Sequence, residues 1–453
     1  MHDSTTNAGA GKFALFTDLY ELTMLQSYFR ENMNKQAVFS LFVRKLPPSR
    51  NYLLACGLED VLAYLEELQF TREDIEYLSS LGKFRDDFLE WLSDFRFTGD
   101  VYALPEGTPV FANEPLLEIV APVQEAQLLE TYILNQIHFQ TLTATKAARV
   151  VSAARGIPVI DFGVRRMHGR DAGIKSPRAF YIAGVEATSN VLAGKMFNIP
   201  IAGTMAHSFI QAYNREIDAF RDFARLYPQT ILLIDTYDTM QAVEKIIQLS
   251  QEPDNEFKIS GVRIDSSNLA GLAGKVRERL DSAGLGHINI FASGGLDEYN
   301  IAELLDQNAP VDGFGVGTKM GVSNDVPYLD LVYKLTSYAS MDRMKRSSGK
   351  ETLPGQKQIF RQEDNGLFTQ DILSTYGEEL PGRPLLSKVM ENGKRTRDRT
   401  RDLNTIRRDT AGEIAKLPQE ILDIKITSKQ NPMLLSDKLR DKHESLVREI
   451  TQY

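Results

Sequence analysis

Apolar and polar positions follow two different grammars along the chain. In Phe16-Thr17-Asp18-Leu19-Tyr20-Glu21-Leu22-Thr23-Met24, an Asp18…Glu21 capping-box pattern precedes an apolar stripe of Leu19, Leu22 and Leu25, so a helix is expected to begin there. Residues 37–43 change to strand spacing, which Leu46-Pro47-Pro48 ends. Residues 57–93 carry two amphipathic helical stretches, and residues 101–120 read as short strands turning at Glu106-Gly107 and Asn113-Glu114. Strands and helices mix here without a βα repeat, which predicts an N-terminal α+β domain over residues 13–124, behind a small, polar, disordered segment 1–12.

A second grammar follows a long helical stretch, 125–155. Buried apolar strands are expected at residues 157–160, 199–202, 231–234, 261–264, 289–292 and 313–316, each followed by a helical pattern. No Gly-x-Gly-x-x-Gly turn follows the first of them. The pattern therefore predicts an α/β fold whose residues 125–340 form an incomplete (β/α) barrel, with a doubly wound open sheet as the competing architecture. The rhythm stops near Met341. Residues 344–384 are rich in Gly, Pro and charge around a strand-like 357–360, and the Arg, Lys and Asp of 394–409 read as a solvated helix face or tail. Residues 412–453 are helical and polar, so 341–453 is expected to be a C-terminal extension partly packing on the other domains.

With 453 residues, the chain exceeds one ordinary core. Its net charge of -9 argues against nucleic acid or an anionic membrane as the main partner, and a single cysteine, Cys56, excludes an internal disulfide. No apolar run approaches the ~18 residues of a membrane span. A cytoplasmic protein is expected.

Chemistry gathers where the predicted strands end. In order these ends read Asp161-Phe162-Gly163-Val164-Arg165-Arg166, Gly203-Thr204-Met205-Ala206-His207, Asp235-Thr236-Tyr237-Asp238-Thr239, Asp265-Ser266-Ser267-Asn268, Ser293-Gly294-Gly295 and Gly317-Thr318-Lys319-Met320-Gly321. In a barrel such ends share one mouth, where the active site lies. His207 falls at a strand-to-helix junction, where imidazole can shuttle a proton, ligate a metal or accept a phosphoryl group; the competing reading makes His207 and Ser208 helix caps. Ser293, Gly294, Gly295, Gly317 and Thr318 form a phosphate-binding pattern, because glycines let backbone N–H groups approach closely and the following helix N-terminus adds its dipole. Alternation along 261–265 aims Arg263 and Asp265 into the barrel interior. A buried guanidinium needs a partner, either Asp265 or an anionic ligand, and its planar fork suits a carboxylate. Asp235, Asp238 and Asp265 supply carboxylates to hold Mg²⁺ beside a pyrophosphate, to bind ribose hydroxyls or to orient His207, although Asp238 fits a helix N-cap better. Phe162 and Tyr20 offer faces for a flat ring, but such aromatics are more often core.

These stretches, together with Thr17-Asp18-Leu19-Tyr20-Glu21, Thr188-Ser189-Asn190-Val191-Leu192-Ala193-Gly194 and Pro354-Gly355-Gln356-Lys357-Gln358-Ile359-Phe360-Arg361, resemble the motifs of the nicotinate phosphoribosyltransferases, in their order and over nearly the whole chain. The resemblance implies a type II phosphoribosyltransferase fold and a homodimer with shared active sites. It implies that nicotinate and phosphoribosyl pyrophosphate become nicotinate mononucleotide and pyrophosphate, with ATP as co-substrate, Mg²⁺ as cofactor and a phosphohistidine coupling ATP hydrolysis. Carried onto this chain, the phosphohistidine is His207. Tyr20, Thr204 and Arg263 contact nicotinate, Phe162 and Arg165 lie beside its ring, and the 5′-phosphate rests on Gly294, Gly295, Gly317 and Thr318. Asp235 is expected to fix the His207 tautomer, with Asp265 as a further catalytic carboxylate, and Mg²⁺ is expected at one of the two.

One stretch departs from the pattern. Asp265-Ser266-Ser267-Asn268 stands where the family usually has Asp-Ser-Gly-Asp, so a carboxylate and a glycine's freedom are missing. If that acid holds Mg²⁺ or ribose, phosphoribosyl pyrophosphate binding weakens. Asn268, and Asp161 before Phe162, are similar to nicotinamide phosphoribosyltransferase, which keeps nicotinamide as an alternative substrate. The same departure admits a non-catalytic protein that senses pyridine nucleotides or phosphoribosyl pyrophosphate.

Overall fold

The computed structural model describes residues 13–252, 257–266, 268–347, 349–396, 401–425 and 433–451. The expected disordered segment 1–12 and Ser267 lie outside the described residues, as do positions 397–400 of the charged run. The chain divides into two compact units, residues 1–142 with 328–453, and residues 143–327. This differs from the expected division at both edges. The long helix Glu130–Ala153 runs through the first boundary. At the second, Leu331–Tyr338 pairs antiparallel with Gln36–Val43, so backbone bonding ties it to the N-terminal sheet instead of extending the barrel unit to residue 340.

In the first unit a seven-stranded antiparallel sheet runs in the order Met341–Asp342, Leu331–Tyr338, Gln36–Val43, Pro115–Pro122, Asp100–Ala103, Ser387–Glu391 and Lys394–Arg395. Every residue of Gln36–Val43 after Gln36 is buried, consistent with a central strand covered on both faces. Phe39 stacks on Tyr333 with ring centroids 4.9 Å apart. Beneath it, Lys357 Nζ donates to Ser40 Oγ at 2.9 Å and lies 3.1 Å from Glu118 Oε1, with both charged side chains buried. A smaller sheet places Lys357–Asp364 between Arg383–Pro384 and Leu367–Thr375, so the short strand expected at 357–360 is twice that length.

Two local expectations change in this unit. Residues 57–93 fold into three helices, Leu58–Glu67, Arg72–Ser80 and Asp86–Ser93. Asp18 does precede the helix Leu19–Arg30, but it forms no capping box. Its Oδ2 accepts from the Thr131 hydroxyl at 2.8 Å, and Glu21 is fully buried, accepting from Gln127 Nε2 at 2.8 Å. Tertiary partners outbid the local cap for both carboxylates.

The second unit holds a six-stranded parallel sheet, ordered Ala187–Thr188, Val159–Asp161, Gly313–Val316, Asn289–Ser293, Ile259–Ile264, Thr230–Leu233. This is barrel order: the last strand pairs with the first through Val316 opposite Asp161, and one gap is left open between Ile201 and Thr230–Leu233. The predicted incomplete barrel is therefore present, with helices between its strands. The strand expected at 199–202 is reduced to a bridge from Ile201 to Thr188, while Ala187–Thr188 takes the sheet position. Pro200 has no N–H to continue a ladder, although its carbonyl accepts from Thr188 N at 3.0 Å. On the far side of the gap, Leu233 N donates to Met205 Sδ at 3.2 Å, so the loop after Ile201 occupies the missing strand's position. No helix among the described residues is long and apolar enough to cross a membrane.

Candidate active site

A cavity of about 640 Å³ opens at the C-terminal ends of these strands and is lined by the second unit alone. Its walls include Phe162, Arg165, Thr204, His207, Arg263, Asp265, Ser293, Gly294, Gly295, Gly317 and Thr318, which brings eleven of the expected site residues to one place. Two others are not among its lining residues. Asp235 sits at the next strand end without lining the cavity, and Tyr20, on the helix Leu19–Arg30, is an exposed residue of the first unit.

Arg263 is fixed by its strand. Val262 and Ile264 are fully buried, and alternation turns Arg263 to the other face. Its Nε donates to Thr204 Oγ1 at 3.0 Å, Nη1 to Ser293 Oγ at 3.0 Å and Nη2 to the Met205 carbonyl at 3.1 Å. Asp265 Oδ2 lies 3.7 Å from Nη1, a looser ion pair than those hydrogen bonds. Burial pulls the guanidinium below its usual range, Asp265 and Asp235 oppose the shift, and Arg165 adds to it. The group remains a cation at neutral pH, held rigidly and facing a cavity that can admit an anion.

Phe162 forms a flat wall beside it. The Arg263 guanidinium carbon lies 5.8 Å from the ring centroid, and a Cβ built on Gly315 would come within 2.6 Å of the Phe162 ring. Only a glycine lets the ring lie against that strand. Asp161, fully buried, secures the turn: one oxygen accepts from Gly163 N and the other from Thr188 Oγ1, at 2.8 and 2.7 Å. Burial pushes its carboxyl up to about 6, with those two hydrogen bonds holding it down.

Gly294 and Gly295 have φ of +99° and +64°, conformations that other residues resist, and a Cβ on Gly294 would meet Asp265 Oδ1 at 2.6 Å. Ser293 pairs with Gly315 across the sheet, so the two glycine-bearing ends are adjacent. The expected helix dipole behind Gly295 is otherwise engaged: Asp297 caps Glu298–Asp306 with its own carboxylate, accepting from Tyr299 N and Asn300 N and pairing with Lys319 Nζ at 2.7 Å. After Gly317, the short helix Thr318–Gly321 carries no side-chain cap, and its first residue, Thr318, lines the cavity with Gly317.

His207 begins the short helix His207–Gln211 and does not cap it; the N-cap position is Ala206, without a side-chain bond. Its Nδ1 lies 3.1 Å from Thr236 Oγ1. Asp235, expected in that role, instead accepts from Asp265 N at 2.6 Å through Oδ2, leaving Oδ1 buried without a partner among the described residues. Burial raises the Asp235 carboxyl, while the Asp265 N–H and the nearby His207 lower it. Thr236 was thus missed as a neighbour of His207; its signal was the strand-end position it shares with Asp235, where adjacent residues point in opposite directions. Asp238 is an N-cap, accepting from Gln241 N at 2.8 Å. Asn268 is exposed and outside the cavity lining.

Among known proteins, the model of the nicotinate phosphoribosyltransferase N-terminal domain matches residues 15–138, and that of the nicotinate phosphoribosyltransferase family matches residues 157–366. The chain belongs to the nicotinate phosphoribosyltransferase family. Nicotinate phosphoribosyltransferase pncB2 of Mycobacterium tuberculosis is 51% identical over 94% of this chain and 92% of its own length, and the Bacillus subtilis nicotinate phosphoribosyltransferase is 41% identical over 81% and 77%. The crystal structure of human nicotinic acid phosphoribosyltransferase superposes with a TM-score of 0.84 at 25% identity, covering 95% of this chain and 99% of that one. Both units fall within these matches, so the family likeness extends beyond the barrel.

Proposed function

We propose that the chain transfers the phosphoribosyl group of phosphoribosyl pyrophosphate to nicotinate, with ATP hydrolysis coupled through a phosphohistidine at His207. The observation that carries this reading is the convergence of Arg263, the Phe162 wall, the two glycine-bearing strand ends and His207 on one cavity. Its chemistry divides accordingly. The Phe162 face takes a planar ring and the Arg263 fork its carboxylate, while the N–H groups after Ser293 and Gly317 take the 5′-phosphate. Holding nicotinate in this way points its ring nitrogen at the anomeric carbon. The new C–N bond forms there as the bond to pyrophosphate breaks through an oxocarbenium-like state. Attack by an imidazole nitrogen of His207 on the γ-phosphate of ATP forms the N–P bond and releases ADP; water later cleaves that bond.

The carboxylates suit Mg²⁺. Asp235 has a buried oxygen without a partner among the described residues and Asp265 stands at the cavity, a donor set that leaves most ligands to water and pyrophosphate. Magnesium bound there would supply charge neutralisation for the leaving pyrophosphate. The exposed Tyr20 fits the reading of a homodimer whose sites are shared, and we place the enzyme in the cytoplasm.

The test is to supply the protein with phosphoribosyl pyrophosphate, Mg²⁺ and labelled ATP, with nicotinate or nicotinamide in parallel. Nicotinate mononucleotide and acid-labile phosphate on the protein are expected, both ATP-dependent, with the phosphate absent from His207→Ala. Preference for nicotinamide would overturn the substrate assignment, and ligand binding without turnover would leave a nucleotide sensor.

A further inference from the structure

Sheet pairing carries the two glycine-bearing strands side by side only as far as Ser293 opposite Gly315. Gly294, Gly295, Gly317 and Thr318 lie beyond the last pair, where the ladder between these strands no longer sets their separation. Charged side chains take over at that point. Lys319, half-buried and the second residue of the short helix after Gly317, donates from Nζ to Asp297 Oδ2 at 2.7 Å and to Asn300 Oδ1 at 3.0 Å. Asp297 comes directly after Gly294-Gly295-Leu296, and its other oxygen, Oδ1, caps the helix behind them. A second crossing lies deeper. The fully buried Lys146 donates from Nζ to Glu298 Oε2 at 2.5 Å and to Asp325 Oδ1 at 2.8 Å, Glu298 being next to Asp297 and Asp325 following the short helix Thr318–Gly321. Both crossings join the segment after Ser293 to the segment after Gly317, and in each the ammonium meets a carboxylate at hydrogen-bond distance, which is what lets such charges stay out of water.

We infer that Lys319 and Asp297 are a positioning pair for the phosphate site: their ion pair fixes the spacing of the two glycine-bearing ends, and Lys146 braces the same two segments from the interior. The inference rests on the reading that those ends take the 5′-phosphate. N–H groups from two separate loops hold one phosphate only if their spacing is right beforehand, and a misplacement of about 1 Å can cost on the order of 100-fold. Gly294 and Gly295 cannot supply that rigidity, since the backbone freedom that admits their positive φ also leaves them soft. Lys319 is not among the residues that line the cavity, although Thr318 is, and its ammonium is engaged by Asp297 and Asn300. It acts through the loops.

Ribose 5-phosphate, which carries the 5′-phosphate without the pyrophosphate, is the probe, titrated calorimetrically into the full chain. Asp297→Asn removes the charge that Lys319 meets but keeps an oxygen to cap the helix, and Lys319→Met keeps the stem without the ammonium. Each should weaken ribose 5-phosphate about tenfold, and the double variant should bind no more weakly than either single one, because all three lose the same interaction. Lys319→Arg, which keeps a cation within reach of Asp297, should restore most of what methionine loses. In turnover, KM for phosphoribosyl pyrophosphate should rise in Lys319→Met and Asp297→Asn while KM for nicotinate, held by Arg263, stays. A loss in Lys319→Met beside unchanged or tighter binding in Asp297→Asn would make Lys319 a direct phosphate ligand and overturn the inference. So would additive losses in the double variant, or an equal rise in KM for nicotinate, which marks a general loosening of the unit. Native binding that every variant leaves intact overturns the positioning role alone. No binding by the native chain overturns the phosphate assignment and, with it, the role given to the pair.

Discussion

Arg263 Nη1 donates to Ser293 Oγ at 3.0 Å, tying the guanidinium that faces the cavity to the first residue of a glycine loop. The proposed carboxylate site and phosphate site therefore share a hydrogen bond. Ser293→Ala should impair both: a hydrogen bond to a charged group contributes roughly 1.5–3 kcal/mol, so KM is expected to rise about tenfold for nicotinate and measurably for phosphoribosyl pyrophosphate. Arg263→Ala should act more selectively, weakening nicotinate by about 100-fold while ATP hydrolysis changes less. Arg263→Lys should recover little, because an ammonium cannot reproduce the fork that reaches Thr204, Ser293 and Met205 together. Steady-state kinetics with each substrate varied in turn would check this, and equal losses for all three ligands would count against it.

Gly315 offers a test of the aromatic wall, since a side chain there meets the Phe162 ring before it meets Ser293. A methyl there would meet the Phe162 ring at 2.5 Å, too close for the ring to stay. Gly315→Ala should push Phe162 into the cavity, raising KM for nicotinate about tenfold or more with the fold retained. Phe162→Leu in the same background should relieve the clash, so partial recovery in the double variant is the outcome to look for.

The barrel was legible in the sequence because its strands are buried apolar runs followed by helical patterns, a signal that survives without knowledge of pairing. Arg263 was legible through simple alternation, since Val262 and Ile264 had to face the helices. Less accessible were features set by partners distant in sequence. Ala187–Thr188 is too short to leave a periodicity, and it became a strand by pairing with Val159–Asp161. Pro200 removed the ladder donor that a strand over 199–202 would need, and the apolar pattern could not register that loss. The Asp18 capping box failed because Thr131, 113 residues away, supplies the hydroxyl its carboxylate accepts. The choice of Thr236 over Asp235 as partner of His207 depends on ångström-scale placement of three loops, which no local pattern encodes.

Asp161 makes stability depend on pH in a specific window. Its carboxyl, raised by burial from 3.8 to about 6, favours the protonated form in the folded chain. The stability it contributes is therefore full below the unfolded value and is lost as pH rises through about 6. That rise corresponds to about 3 kcal/mol. Urea midpoints of the native chain should fall relative to Asp161→Asn between roughly pH 4 and pH 6 and run parallel above that. Parallel behaviour across the whole window would show that the Gly163 and Thr188 hydrogen bonds offset the burial entirely.

Lys357 and Glu118 allow a structural role of the 354–361 motif to be separated from chemistry. Both side chains are almost completely buried, and besides the 3.1 Å ion pair, Glu118 Oε2 accepts from Lys357 N at 2.9 Å while Lys357 Nζ donates to the Gly355 carbonyl at 2.6 Å. Burial pulls the Lys357 ammonium below its usual range, and Glu118 opposes that shift. Removing Glu118 alone leaves a buried cation without its counter-ion, so Glu118→Leu should cost about 3–5 kcal/mol. Lys357→Met together with Glu118→Leu removes both charges at similar volume and should recover most of that loss, because the desolvation cost disappears along with the attraction. Chemical denaturation of the two single variants and the double variant gives the coupling directly. Additive losses would mean that the pair is held by Ser40 and Gly355 instead of by each other.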